Sequence, residues 1–401
     1  MKKPKIVILG AGFGGLMTIV TLQKELGAGE ADIILVNKHD YHYQRTWLHQ
    51  AAAGNLHPNR VRFDIKKIID HDKVQFIQDT VIQIRREEKK VILEENEISY
   101  DYLVMALGGQ QETLGVKGIK ENTLSISSIN AARRISNHIE SQFASYQKGD
   151  EKLTIVVGGA GLTGMEFLGE LTDRIPKLCR QYRVGKEKVK LICIQSSYAL
   201  SDFDRSLSEY AVSYLEGKGV QFIFGIRIKE CTPDGVLIGK KDEEQVKEVK
   251  AGTVIWAGGV RGNSIIEGSG IETMKGRVKV EPDLRAPESD NLFIIGDCSL
   301  VIDEKKGTPY SPTAQIALQQ GITCARNIVS LIHNETELET FVPHIRGIIC
   351  SLGKESAVGT VYGKNITGAK ALFMKKMIDN RALYMIGGSS LILKKGRFKL
   401  I

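Results

Sequence analysis

The chain has 401 residues, 42% of them hydrophobic and 25% charged, and a formal net charge of +8. That length allows two to three domains with an ample core. Its six cysteines, Cys179, Cys193, Cys231, Cys298, Cys324 and Cys350, fall in no CxxC or zinc-like spacing, which argues against a metal site or a disulfide-stapled scaffold and suggests reduced thiols in a cytosolic setting.

Met1-Lys2-Lys3-Pro4 leads directly into Ile6-Val7-Ile8-Leu9, so no signal peptide is expected. This buried strand runs into Gly10-Ala11-Gly12-Phe13-Gly14-Gly15 and then an apolar helix, Leu16 to Leu26. A strand, a GxGxxG turn and a helix in that order form a pyrophosphate site. The first glycine makes the turn, the second lets backbone N–H groups approach phosphate, and the third lets helix pack on strand. The next strand, Asp32 to Val36, ends in Asn37-Lys38, where an acid usually holds a ribose hydroxyl. Asn37 can still hydrogen-bond one. After a polar stretch from His39 to Asn59, the segments Val74 to Ile77, Val81 to Ile84 and Lys90 to Leu93 read as small antiparallel strands. Tyr100 to Gly109 is a buried strand ending in glycines, where backbone can touch a cofactor.

A helical segment from Asn130 to Tyr146 leads to a polar break, Gln147 to Lys152, which marks a domain boundary. Beyond it the pattern repeats: Ile155-Val156-Val157-Gly158 enters Gly159-Ala160-Gly161-Leu162-Thr163-Gly164 and a helix from Met165 to Leu171. Two such turns imply two dinucleotides, and hence electrons passed between them. The second helix carries Glu166 and Glu170 at i and i+4. They could orient a nicotinamide or hold a proton, or they could be solvated surface acids. The strand Val189 to Ile194 ends in Gln195, which neither selects a free ribose hydroxyl nor repels a phosphate strongly. Thr253 to Val260 is a second strand ending in glycines, Gly258-Gly259, and suggests a duplicated fold. Asn291 to Cys298 then delivers Asp297 at a strand's carboxyl end, where open α/β sheets bind ligands. Pro309 to Ala317 then opens a helix that reaches about Ile332 and whose N-terminus presents a positive dipole end.

The charge is concentrated at the end of the chain. From residue 370 onward, Lys370, Lys375, Lys376, Arg381, Lys394, Lys395, Arg397 and Lys399 stand against Asp379 alone, interleaved with Phe373, Met377, Tyr384, Leu393 and other apolar residues. That pattern fits a segment lying on an anionic lipid surface; a C-terminal helix packed on its own core is the competing reading. Ala382 to Leu393, the longest uncharged stretch of this tail, is too short to span a bilayer, which takes about 20 residues. The apolar interleaving argues against nucleic acid as a partner.

The order of Gly10–Gly15, Leu103–Gly108, Gly159–Gly164, Trp256–Gly259 and Phe293–Asp297 resembles the two-dinucleotide flavoprotein disulfide reductase superfamily. Within it, Val36-Asn37-Lys38, Gly164-Met165-Glu166-Phe167, Ala314-Gln315-Ile316-Ala317 and the basic tail are similar to bacterial type II NADH:quinone oxidoreductases. The resemblance covers essentially the whole chain. It implies an α/β protein with two Rossmann-like domains: 1–149 and 276–335 for FAD, 150–275 for NAD(P)H, and 336–401 as a membrane-associating region. FAD is expected on Gly10, Gly12, Phe13, Gly14, Gly15, Asn37, Lys38, Val81, Ala106, Gly108, Asp297, Ala314 and Gln315. NADH is expected on Gly159, Gly161, Gly164, Glu166, Gln195 and Gly258, with Glu166 and Gln315 catalytic. The implied enzyme is a peripheral, non-pumping, homodimeric respiratory flavoprotein on the cytoplasmic face of the membrane. It would reduce a menaquinone-type acceptor, with no metal. Sulfide:quinone reductase, with Cys179 or Cys350 near the flavin, and an NADPH-preferring flavin reductase are the rival expectations.

Overall fold

The structure, a computed structural model, describes residues 3–147, 151–304 and 307–398. Met1, Lys2, residues 148–150 of the polar break and Lys399 of the basic tail lie outside them. Two parallel sheets form the framework, each built from runs of aliphatic residues buried on both faces, as parallel strands require. In the first sheet Leu292–Ile294, Tyr102–Met105, Lys5–Leu9, Asp32–Asn37 and Val74–Gln78 lie side by side in that order. In the second the order is Val220–Phe224, Lys190–Gln195, Thr154–Gly158 and Thr253–Trp256. This is the mixed α/β architecture expected, with two Rossmann-like units.

One strand expectation is overturned. Val74–Gln78 is not a small antiparallel strand; it pairs in parallel with Asp32–Asn37, Ile33 opposite Val74 and Asn37 opposite Gln78. Its crossover from the preceding strand includes the short Leu48–Ala52 helix, which the sequence does not announce by periodicity. The antiparallel reading does hold for Val81–Arg85, which pairs with Lys90–Leu93; that strand pairs in turn with Glu97–Ser99 in a separate three-stranded sheet.

The two units meet where their carboxyl ends continue. Gly109–Gln111, just past the first sheet, pairs antiparallel with Val260–Gly262, just past the second. Later, the Ala314–Ile332 helix returns to the first unit and lies against the Phe13–Glu25 helix, backbone to backbone. A Cβ on Gly321 would stand 2.5 Å from the Gly14 carbonyl oxygen. The chain then forms a three-stranded antiparallel sheet, Gly347–Ser351, Ala357–Val361 and Lys364–Thr367, and ends in a helix from Gly368 to Lys395. This helix is broken at Gly387 and Gly388, whose dihedrals are not helical. Among the described residues no helix is long and apolar enough to cross a membrane.

The terminal helix divides the expectation made for the tail. Ala371, Leu372, Ala382, Leu383 and Ile386 are buried against the protein's own interior, while Phe373, Met377, Ile378, Tyr384, Leu393 and Phe398 remain exposed. Nor is all the tail's charge outside, because the Lys375 side chain is only 13% exposed and Arg397 lies over the Trp47 ring at 3.9 Å.

Candidate active site

The two glycine turns are the same object built twice. Gly10 N–H donates to the Val36 carbonyl at 2.8 Å and Gly159 N–H to that of Ile194 at 2.9 Å. Both glycines have positive φ, +98° and +114°, and a Cβ would stand 2.5 Å from the Ala106 carbonyl oxygen or 2.6 Å from that of Ala257. A side chain at Gly15 or Gly164 would overlap the carbonyl of Gly10 or Gly159, the helix–strand contact expected of the third glycine. By contrast, a Cβ on Gly12 or Gly161 would meet nothing within 4 Å. These two positions cap their helices without a side-chain hydrogen bond, so no capping side chain occupies the helix N-terminus. An anion suits that position by charge and by the lack of obstruction.

The residue closing each second strand braces its turn. Asn37 Oδ1 accepts from Ala11 N–H at 2.9 Å and its Nδ2 donates to the His39 carbonyl at 2.7 Å. Gln195 Oε1 accepts from Ala160 N–H at 3.1 Å and its Nε2 donates to Ser197 Oγ at 2.9 Å. Lys38 is exposed beside the first turn. Val81 is buried in the apolar cluster that includes Leu9 and Val36, near the strand end where Asp79 N–H meets the Asn37 carbonyl at 3.1 Å.

Other expected residues gather at the carboxyl end of the first sheet. Ala106 follows the Tyr102–Met105 strand, and Gly108 turns with φ +73°. Gly296 N–H donates to Gln320 Oε1 at 2.8 Å, which ties the Asp297 turn to the Ala314–Ile332 helix. Asp297 is partly open to solvent, and Arg45 Nη1 stands 3.9 Å from its Oδ2. Trp256 forms the floor beneath Gly258, its indole donating to the Glu112 carbonyl at 2.7 Å. Ala314 begins its helix after Thr313, whose side chain caps Ile316 N–H. Phe13 is partly exposed at the first helix start, edge-on to His42. A half-exposed acid at a sheet's carboxyl end, an unobstructed helix N-terminus and close-packed glycines fit a dinucleotide such as FAD, and the second turn fits another.

Glu166 and Glu170 are not solvated surface acids: both are buried. Glu166 Oε1 accepts from Ser351 N–H at 3.2 Å and Ser351 Oγ–H at 3.1 Å, and it receives Lys375 Nζ. His49 Nδ1 lies 3.4 Å from Oε2. Burial alone would raise the Glu166 carboxyl, but the Lys375 ammonium, with His49 and Ser351, outweighs it and holds the group below the usual range. The same burial drives His49 down to about 4, so its imidazole is neutral at pH 7. Lys375 is raised, because Glu166 and Asp379 outweigh its own burial. Glu170, one turn on, accepts from Asn55 Nδ2, 2.7 Å from its Oε2, and burial pushes it up to about 7.

Gln315 does not touch Glu166. Its Oε1 accepts from Arg346 N–H at 3.0 Å, and its Nε2 reaches the Gly347 carbonyl at 3.5 Å. The two side chains therefore hold opposite ends of one strand, Gly347–Ser351, about 13 Å apart at 3.3 Å per residue. Sequence reasoning missed His49, Ser351, Asp379 and Arg45 as members of this site, and it read Lys375 as a surface charge. Lys375 and Glu166 are 209 positions apart, and no local pattern connects them. The one available signal was a lone acid at Asp379 among tail cations, which now accepts the Trp47 indole N–H at 2.8 Å.

The cysteines give no support to a sulfide-oxidising site. All six are free and buried, and burial pushes the Cys179 and Cys350 thiols up, away from the reactive thiolate. Among the described residues no cluster of three or more His, Cys, Asp or Glu side chains could hold a metal ion.

Residues 4–321 match the pyridine nucleotide-disulphide oxidoreductase family. Over 401 residues, covering 99% of both chains, the sequence is 44% identical to a type II NADH:quinone oxidoreductase of Staphylococcus aureus and 45% identical to that of Staphylococcus haemolyticus. The fold superposes on the NDH2 of Plasmodium falciparum in complex with NADH, with a TM-score of 0.88 at 17% identity over 98% of each chain. It also superposes on the sulfide:quinone oxidoreductase of Aquifex aeolicus, with a TM-score of 0.80 at 19% identity over 97% of this chain and 92% of that one. The family match over residues 4–321 and the 44–45% identity over the full length of the staphylococcal relatives place the chain in the pyridine nucleotide-disulphide oxidoreductase family and, within it, among the type II NADH:quinone oxidoreductases.

Proposed function

We propose that this chain oxidises NADH and passes two electrons through FAD to a membrane quinone of the menaquinone type, as a peripheral homodimer on the cytoplasmic face of the membrane. The observation that carries this reading is the pairing of two unobstructed turns with one buried, charge-balanced cluster beside the terminal helix.

Gly12, with Gly10 and Gly15 shaping the turn, would seat the FAD pyrophosphate, and Asp297 the ribitol chain. Phe13, Gly14, Lys38, Val81, Ala106, Gly108 and Ala314 would line the rest, with Asn37 acting mainly as a brace. Gly159, Gly161, Gly164, Gln195 and Gly258 would hold the second dinucleotide. Bound FAD supplies the two-electron relay between nicotinamide and quinone. The protein's own part is protonic, since quinone reduction takes up two protons with its two electrons. Lys375 Nζ and the Glu166 carboxyl form a buried donor–acceptor pair that can deliver a proton and be reloaded, with His49 as its neutral neighbour. Gln315 fixes the near end of the Gly347–Ser351 strand, and the second N–H of its Nε2 can donate to a quinone carbonyl. The exposed face of the terminal helix, Phe373, Met377 and Tyr384, would meet lipid beside basic residues and so bring the site to an oily substrate.

The test is kinetic. For the flavin-loaded protein, Glu166→Gln should slow steady-state quinone reduction on the order of 10²-fold, the usual worth of a positioned acid or base. Stopped-flow flavin reduction by NADH should change less than about threefold. Equal slowing of both half-reactions would remove Glu166 from the quinone step, and a colourless protein with no flavin released on denaturation would overturn the reading entirely.

A further inference from the structure

The kink at Gly387–Gly388 turns the outer piece of the terminal helix back over the body. Gly388 has φ +61°, and beyond it Lys395 Nζ donates to the Asn59 carbonyl at 2.9 Å. Between this outer piece and the antiparallel strand pair Tyr41–Tyr43 and Arg62–Asp64 lies a cavity of about 580 Å³, separate from the residues proposed for catalysis. Tyr41, Phe63 and Leu391 give it apolar walls, and Arg62, Lys394 and Lys395 reach into it.

Its charge is unbalanced. Four basic side chains, Lys67 included, meet two acids, Asp40 and Asp64. Asp64 is already committed, accepting from Lys66 N–H at 3.0 Å and pairing with Lys67 at 3.8 Å. Among the described residues no carboxylate comes within 4 Å of Arg62, Lys394 or Lys395 in an ion pair. The Arg62 guanidinium instead lies 5.1 Å over the Tyr41 ring. Burial lowers the Lys395 ammonium, and repulsion from Arg60 and Arg62 lowers it further. Such crowding is relieved by an anion. On the same outer segment Leu393 is 77% and Phe398 62% exposed, apolar surface that an inorganic anion would not need.

We propose that this cavity binds the phosphate headgroup of one anionic glycerophospholipid, with Arg62, Lys394 and Lys395 on the phosphate and Leu393 and Phe398 entering the acyl layer. The proposal rests on the membrane docking argued above and goes beyond it, from a charged surface to a defined lipid site.

The experiment uses the full flavin-loaded protein and two double variants, R62Q/K394Q in the cavity and K364Q/K370Q on exposed tail positions outside it. Calorimetric titration with dihexanoyl phosphatidylglycerol below its micelle concentration should show saturable, one-to-one binding. That binding should weaken at least tenfold in R62Q/K394Q and stay within twofold in K364Q/K370Q. Inorganic phosphate, titrated alone, should bind far more weakly. Flotation with vesicles containing phosphatidylglycerol should fall for both variants, because each loses two charges worth roughly fivefold apiece near an anionic surface. No binding of the soluble lipid alongside intact flotation would overturn the cavity and leave the membrane reading standing, whereas failure of the wild type to float would remove the membrane reading itself. Phosphate binding as tight as the lipid's would overturn the lipid assignment. An unchanged melting temperature in R62Q/K394Q excludes misfolding as the cause of lost binding.

Discussion

Glu170 carries a cost that pH should reveal. Its carboxyl titrates near 7 in the folded protein and near 4.3 when unfolded, so between those values the native state binds more protons. Stability contributed by the protonated form is therefore present at low pH and lost as pH rises through about 7. Glu170→Gln keeps an acceptor for Asn55 without the buried charge. It should raise the melting temperature by a few degrees at pH 8 and leave it unchanged at pH 4; calorimetry at the two pH values checks the sign. Gln195 offers a second residue-level test. Its Oε1 holds Ala160 N–H, a bond a carboxylate would preserve, so Gln195→Glu adds charge without disturbing the turn. The ratio of kcat/KM for NADH over NADPH should rise at least tenfold, because an acid there favours a ribose hydroxyl and repels a phosphate. An unchanged ratio would remove Gln195 from the ribose site.

Among elements, the two turns separate folding from binding. At Gly12 and Gly161 an added methyl group meets no protein atom, whereas at Gly15 and Gly164 it collides with backbone. Gly12→Ala should therefore fold yet lose most of its flavin absorbance, and Gly161→Ala should retain flavin while its KM for NADH rises at least tenfold. Gly15→Ala should instead be recovered poorly, through lost helix–strand packing. These turns were legible in the sequence because strand, turn and helix are contiguous, and the chemistry of a pyrophosphate dictates the glycine spacing. Val74–Gln78 was misread because a five-residue apolar run does not state its direction; only the crossover that precedes it does. Lys375 was misread for the same kind of reason, since periodicity shows which residues share a helix face and not what that face meets.

For the whole molecule, the tail cannot be treated as a detachable anchor. Leu383 and Ile386 complete the interior, and Lys375 completes the Glu166 cluster, so truncation beyond Gly368 would damage the fold along with any membrane affinity. The better probe is the outer face. Phe373→Ser with Met377→Ser and Tyr384→Ser should lower flotation with anionic vesicles at least tenfold, while NADH oxidation with a water-soluble quinone stays within twofold. Raising salt should weaken what binding remains, since exposed charges are screened beyond about 8 Å at physiological ionic strength. Retained flotation would place the docking face elsewhere.

One helix presents Lys375 inward and Phe373 and Met377 outward, separated by a single turn or less. Stripping away lipid therefore leaves the inner cation pinned by its own carboxylate partner. Detergent-extracted enzyme should remain chemically competent in free solution, limited by delivery of its oily substrate and not by loss of its proton-handling parts.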